Sequence, residues 1–235
     1  MKTRNHLLFV VCAAVICSNV AHGDDQVAVK ELLDKVTNAY GGPDQTAKLK
    51  AIAIKGKVTA SEGGMDITFA FDASIQGLDT FKMDAEVTAG GQTQRIVMVI
   101  NGNKGWAYNA AQNKTEEAPK EAVPMVRQFL SALRGPGNPQ DLLDKDISLS
   151  HGGENKVNDT ETAILRVQRK DFSEITMYFD KKTGLPLKSE TKVKQPTGNE
   201  ERTYEFHYSE FKNVGGVQHP HRVKIVQEGK DRSPK

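Results

Sequence analysis

Apolar and polar residues alternate along much of this chain. Met65, Ile67, Phe69, Phe71, Ala73 and Ile75 take every second position, with Asp66, Thr68, Asp72 and Ser74 between them. After a turn at Gln76-Gly77, Phe81, Met83, Ala85 and Val87 alternate with Thr80, Lys82, Asp84 and Glu86. Strand side chains point to opposite faces with a period of two, so each run predicts a strand with one apolar and one charged face. Such an apolar face must be covered, by protein or by ligand.

The neighbouring stretches extend this pattern. Ile52, Ile54 and Val58 predict a strand over 49–60, with Lys55, Lys57 and Thr59 on its other side. Residues 95–100 are apolar on both faces, as in a more central strand. Asn101-Gly102-Asn103-Lys104-Gly105 reads as a hairpin connection, after which Trp106 and Tyr108 share one face. Farther on, Ile147 and Leu149 mark a short strand, and Ala163, Leu165 and Val167 and then Ile175, Met177 and Phe179 alternate with polar neighbours. Asp180 to Gly184 is a charged hairpin turn, Tyr204, Phe206 and Tyr208 form an aromatic face, and Val214-Gly215-Gly216 turns into a final strand carrying Val223 and Ile225.

The period changes in two places. Val29, Leu32, Leu33, Val36, Ala39 and Tyr40 follow helical spacing, and Gly41-Gly42-Pro43 stops that helix. Val126, Phe129, Leu130 and Leu133 make a second helical stripe behind Pro119 and Pro124, ended by Gly135-Pro136-Gly137, with a shorter helical turn over 139–143. The predicted fold is mainly β with α. It is a curved antiparallel sheet or incomplete β-barrel of about 10 or 11 strands, covered by helices.

Composition adds compartment and excludes several classes. Lys2, Arg4 and His6 precede an apolar run from Leu7 to Cys17 that is too short to span a bilayer, and the small residues Ala21 and Gly23 suit a cleavage site. Residues 1–23 therefore read as a cleaved secretory signal peptide, 24–228 as a single domain, and 229–235 as a polar C-terminal tail. Cys12 and Cys17 both lie in the signal, and neither follows the small residue that lipid attachment requires. The mature chain then has no disulfide, thiol nucleophile or lipid anchor. Removing Lys2 and Arg4 from 32 basic residues balances the 30 acidic ones, so a strongly basic nucleic-acid surface is not indicated. No later stretch is apolar enough to cross a membrane, so a periplasmic or secreted protein is expected.

Catalytic motifs are scarce. There is no phosphate loop, dinucleotide fingerprint, zinc-protease helix or nucleophile elbow. His207, His219 and His221 lack a carboxylate or cysteine that recognisably completes a metal set, and read as solvent-facing strand histidines. Ser150-His151-Gly152-Gly153-Glu154 holds a serine, a histidine and an acid, but sequence neighbours seldom form a triad, and a turn is the better reading. Asn113-Lys114-Thr115 and Asn158-Asp159-Thr160 match a glycosylation pattern that matters only in a eukaryotic secretory pathway. No nucleophile or base stands out and no cofactor or metal is implied, so an enzyme is not expected. The aromatic and methionine positions remain. Phe69, Phe71, Phe81, Met83, Trp106, Tyr108, Met177, Phe179, Tyr204 and Phe206 recur on apparent inner faces, with Val126, Phe129 and Leu133 on the second helix. They form either an ordinary core or the lining of a cavity for an acyl chain, with the helices as plug or lid.

The order of parts carries a resemblance: signal peptide, helix, Tyr40-Gly41-Gly42, β-meander, helical insert, further meander. Tyr178-Phe179-Asp180-Lys181-Lys182-Thr183-Gly184-Leu185-Pro186-Leu187-Lys188 looks like a penultimate hairpin, and Tyr208 to Val217 followed by His219-Pro220-His221-Arg222-Val223 looks like a closing one. Together they resemble the outer-membrane lipoprotein-sorting (LolA/LolB-like) superfamily. The resemblance implies a half-barrel closed by helices over an apolar cavity formed by the thirteen residues just named. It implies a soluble carrier of lipid or lipoprotein acyl chains that opens and hands over its cargo without a covalent step. The alternative is a sensor or protein-interaction module with the same fold, engaging an envelope protein through an exposed sheet edge or the helical insert. Arg95 opens an apolar strand, but a cation inside a cavity would need a partner and none is identifiable.

Overall fold

The computed structural model describes residues 20–62, 65–77, 79–110, 112–195, 200–227 and 230–231. Residues 1–19 of the expected signal peptide lie outside these. Helix α1 (Val20–Ala39) and the single turn α2 (Pro43–Thr46) lead into a first sheet, β1 (Ala51–Glu62), β2 (Met65–Gln76), β3 (Thr80–Ala89), β4 (Gln92–Asn101), β5 (Lys104–Asn109) and β6 (Lys114–Glu117). Helix α3 (Ala122–Arg134) and two 3₁₀ turns, Gly135–Gly137 and Pro139–Leu143, follow. The second sheet is β7 (Ile147–Val157), β8 (Thr160–Arg169), β9 (Ile175–Asp180), β10 (Pro186–Lys194), β11 (Glu201–Val214), β12 (Val217–Gln227) and the two-residue β13 (Lys230–Asp231). Every pairing is antiparallel, and each sheet keeps chain order without closing. The expected mainly-β, unclosed architecture covered by helices is what forms. The hydrogen-bonded strands divide into two sheets at the helical insert.

That division follows from α3, which has two apolar faces. Val123, Val126 and Leu130 meet Ala73, Ile75, Phe81 and Ile100 of the first sheet. Phe129, Ala132 and Leu133 belong to the larger cluster on the second sheet, where Val29, Leu32, Val36 and Tyr40 of α1 meet Leu165, Met177, Phe179 and Phe206. Polar contacts fix α3 on the second sheet. The Gln128 amide donates to Thr191 Oγ1 at 2.7 Å and to the Ser173 carbonyl at 3.0 Å. The buried hydroxyls of Ser189 and Tyr208 lie 2.7 Å apart and reach the Ala132 carbonyl at 2.8 and 2.9 Å. The buried side chains of Gln128, Thr191, Ser189 and Tyr208 thereby gain partners, as burial requires.

Three glycine turns converge on the C-terminal end of α1. Gly41 has φ 114°, and a Cβ there would lie 2.1 Å from the Gly216 carbonyl oxygen. The Gln218 amide donates to the Tyr40 carbonyl at 3.3 Å. A Cβ on Gly184 would lie 3.0 Å from the Lys35 carbonyl. The segments that carried the resemblance are thus one packed corner.

Two local readings need correction. Ser150 to Glu154 is not a turn: it lies within β7, which runs 11 residues rather than forming a short strand. Pairing with β8 slips between His151 and Glu154, and Gly153 has φ 83° there. Adjacent glycines serve a β-bulge as readily as a turn, and the pairing partner decides between them. The Asp25 carboxylate of α1 accepts the His151 amide at 2.8 Å beside this bulge.

Candidate functional site

The strand registers of the first sheet stack the inner, α3-facing side chains into rows. Ile52, Ile75, Phe81, Ile100 and Gly105 form the row at the helix. Ile54, Ala73, Met83, Met98 and Ala107 form the next, followed by Gly56, Phe71, Ala85 and Ile96. Val58, Phe69 and Val87 form the row beyond, which ends at Gln94. Phe71, Met83 and Met98 still touch the cluster under α3. Val58, Phe69, Val87 and Ile96 belong to neither packed cluster and remain partly exposed. From Phe81 to Val87 this face extends about 20 Å at the usual rise per strand residue. Gly56 interrupts the β-branched pattern for a steric reason: a Cβ there would lie 2.5 Å from Phe71 Cζ, because the ring covers that position.

The outer face is charged. Lys55 pairs with Asp72 at 3.3 Å, and Arg95 Nε donates to Asp84 Oδ1 at 2.8 Å. The Arg95 hydrogen bond holds the Asp84 carboxyl below its ordinary value. Arg95 therefore stands outside any inner cavity. An open groove of about 850 Å³ runs over β1–β3, bordered by Lys55, Asp72, Ser74, Lys82, Asp84 and Glu86.

The thirteen residues expected to line one cavity fall in three places. Phe69, Phe71, Phe81, Met83 and Val126 stand at the inner face of the first sheet. Met177, Phe179 and Phe206 are fully buried on the second sheet, with Phe129 edge-on to Phe206 at 5.0 Å and to Tyr204 at 5.6 Å, and Leu133 beside them. Trp106 and Tyr108 require a correction. They pair with Val99 and Val97 on the outer face, opposite to Phe81 and Met83. The two-residue connection between Asn101 and Lys104 sets that parity, and a one-residue shift would reverse it. Tyr108 donates instead to Asn113 Oδ1 at 3.0 Å. A cavity between α3, the second 3₁₀ turn and the second sheet measures about 20 Å³, room for a single water.

Sequence reasoning had no access to the charged clamp joining the sheets. Arg127 of α3 pairs with Asp79 and donates to Asn103 Oδ1 at 3.0 Å. The guanidinium groups of Arg127 and Arg169 both lie near the Phe172 ring, 5.3 and 5.0 Å from its centroid. Arg134 donates to the Gly77 carbonyl at 2.6 Å and faces Asp141 at 3.1 Å. Burial pulls the Arg134 value down and pushes the Asp141 value up, with their mutual attraction opposing both. These residues lie far apart in the chain, and no local period links them.

The histidines do not converge. His207 lies opposite Lys224, whereas His219 and His221 alternate with Lys224 along β12 and so take the other face. His207 Nε2 is 3.0 Å from Glu205 Oε2 in a network with Lys188, Glu190 and Tyr178. Burial raises the Glu205 value, but the His207 hydrogen bond and Lys188 outweigh it and leave the carboxyl below its ordinary value. Among the described residues no group of three or more His, Cys, Asp or Glu side chains is placed to hold a metal.

No protein-family model matches the chain, and no curated protein matches it in sequence. Solved structures do match. One described as an outer membrane lipoprotein-sorting protein domain from Vibrio parahaemolyticus aligns at TM-score 0.53 and 13% identity over 87% of this chain and 88% of its own. A LolA superfamily protein from Nitrosomonas europaea aligns at TM-score 0.53 and 13% identity over 85% of each chain. A DUF1329 family protein from Desulfovibrio piger aligns at TM-score 0.50 and 14% identity, covering 87% and 88%. The chain therefore has the LolA-like fold, and the resemblance read from its hairpins holds at that level. No helix of the described residues is long and apolar enough to cross a membrane.

Proposed function

We propose that this protein holds a lipid or lipoprotein acyl chain against the inner face of its first sheet and releases it without covalent chemistry. The observation that carries this reading is the apolar surface that continues past α3 through Phe71, Ile96, Val58, Phe69 and Val87. A chain laid there would lose water from both surfaces. Each buried methylene contributes about 0.8 kcal/mol, so ten give about 8 kcal/mol before the cost of ordering the ligand. Val123, Val126 and Leu130 of α3 stand over the lower rows and would set how far the chain enters. In this reading residues 1–23 are removed, residues 24–228 act as one domain, and the mature protein works in the periplasm or outside the cell. No catalytic step is assigned.

Native mass spectrometry of gently purified protein with lipid extraction, followed by titration with a fluorescent long-chain fatty acid, tests the proposal. Bound lipid or saturable uptake is expected. Phe69→Ala should weaken uptake about tenfold, the scale of one buried aromatic contact, while thermal unfolding stays close to that of the parent. Protein that is lipid-free and unresponsive to the fatty acid overturns the reading, as does unchanged uptake in Phe69→Ala.

A further inference from the structure

A strand at the end of a sheet presents unpaired N–H and C=O groups, and proteins usually shorten, charge or cover such edges. Three of the four sheet ends described here follow that rule. β6 is four exposed residues, Lys114-Thr115-Glu116-Glu117. β13 is two residues. β7 is long but lies against α1, with Asp25 accepting its His151 amide. β1 is the exception. It runs 12 residues, pairs with β2 on one side, and among the described residues has no strand neighbour on the other.

We infer that the free edge of β1 takes up an extended, acidic segment of another protein as an added strand. The side chains specify that occupant. Lys55 and Lys57 stand two residues apart on the outer face, both exposed, with Thr59 and Ala53 beside them. Ile52, Ile54 and Val58 point to the inner face, with Gly56 between the last two. An incoming strand meets this edge best with two carboxylates on alternate positions, opposite the lysines, and apolar residues between and beyond them. A second copy of β1 is a poor occupant. Antiparallel self-pairing centred on residue 56 sets Lys55 opposite Lys57 twice, and centring on residue 57 sets Lys57 opposite itself. Like charges directly opposite one another destabilise a strand pair. The unpaired backbone groups of β1 lie at the sheet edge whatever the inner face holds, so the inference does not depend on acyl-chain binding.

Two short fluorescent peptides with blocked ends are the probes. One carries Glu at alternate positions with Val and Thr between them, and the other has Lys in place of each Glu. The acidic peptide should bind at least about fivefold more tightly at low salt, the expectation for two opposite-charge cross-strand pairs. Hydrogen exchange should slow along β1 when it is bound. In the K55E/K57E variant the preference should reverse towards the Lys peptide. Circular dichroism should show the fold retained, because both lysines are exposed, with a modestly lower thermal midpoint, because the new carboxylate at position 55 would stand opposite Asp72. Equal binding of both peptides, no binding of either, protection on a different element, or an unswitched preference in K55E/K57E each overturn the inference. So does sedimentation showing that the parent protein alone is a dimer with β1 protected.

Discussion

Gly56 and Phe71 show how one residue shapes a surface. The Phe71 alternation is plain in the sequence, but the reason for a glycine across from it is not. The ring lies where a Gly56 side chain would be, with 2.5 Å between a built Cβ and Cζ. A methyl group there must push the ring aside. Because a ring edge can yield where backbone cannot, Gly56→Ala should cost about 1 kcal/mol, the low end of overpacking effects. Urea denaturation should show a lower midpoint with an unchanged slope. A parent-like midpoint would mean that the ring moves freely. Trp106 and Tyr108 carry the opposite lesson. Their alternation was legible, yet their face depended on the parity of a short hairpin, and that parity was settled by pairing with β4.

At the scale of elements, the corner around α1 is the most specific piece of the fold. Tyr40-Gly41-Gly42, the Gly184 turn and the Gly215-Gly216 turn were recognisable as motifs because turn chemistry is local. Their meeting point was not recognisable, since it needs the strands between them. Gly41 approaches backbone, which cannot yield as a side chain can. Gly41→Ala should therefore destabilise by at least about 2 kcal/mol through the positive φ and the clash together. It should also speed exchange of the Gln218 amide, whose partner is the Tyr40 carbonyl. Equal protection of that amide in parent and variant would show that the corner does not hold the closing hairpin. The other elements were legible in proportion to their length. β6 and β13 are too short to show a period, β7 was concealed by its bulge, and the stripe of α3 read as one face although it serves two sheets.

At the scale of the whole molecule the two sheets are unequally secured. The second has α1 and α3 against it and fully buried residues in its central strands, including Leu165, Met177, Phe179 and Phe206. The first meets α3 near one end of its strands, and beyond the helix Phe71, Ile96, Val58, Phe69 and Val87 of its inner rows are partly exposed. Local opening should follow that difference. Native-state hydrogen exchange should find β8–β11 amides opening near the global unfolding free energy and β1–β2 amides opening at lower cost. A saturating fatty acid should narrow the gap by protecting the first sheet. Equal protection of both sheets without ligand would contradict this ranking.

The sequence by itself determined most of the strands and hairpin turns, the two helical regions and the LolA-like order of parts. These follow from periodicity and turn preferences that act over a few residues. Only the tertiary structure decided that the strands part into two sheets around α3, that Arg127, Arg134, Asp79 and Asp141 close the junction, and which apolar rows the helix leaves uncovered. Each of those depends on register and on contacts between distant segments, where a shift of one residue reverses a face and no local pattern records the outcome.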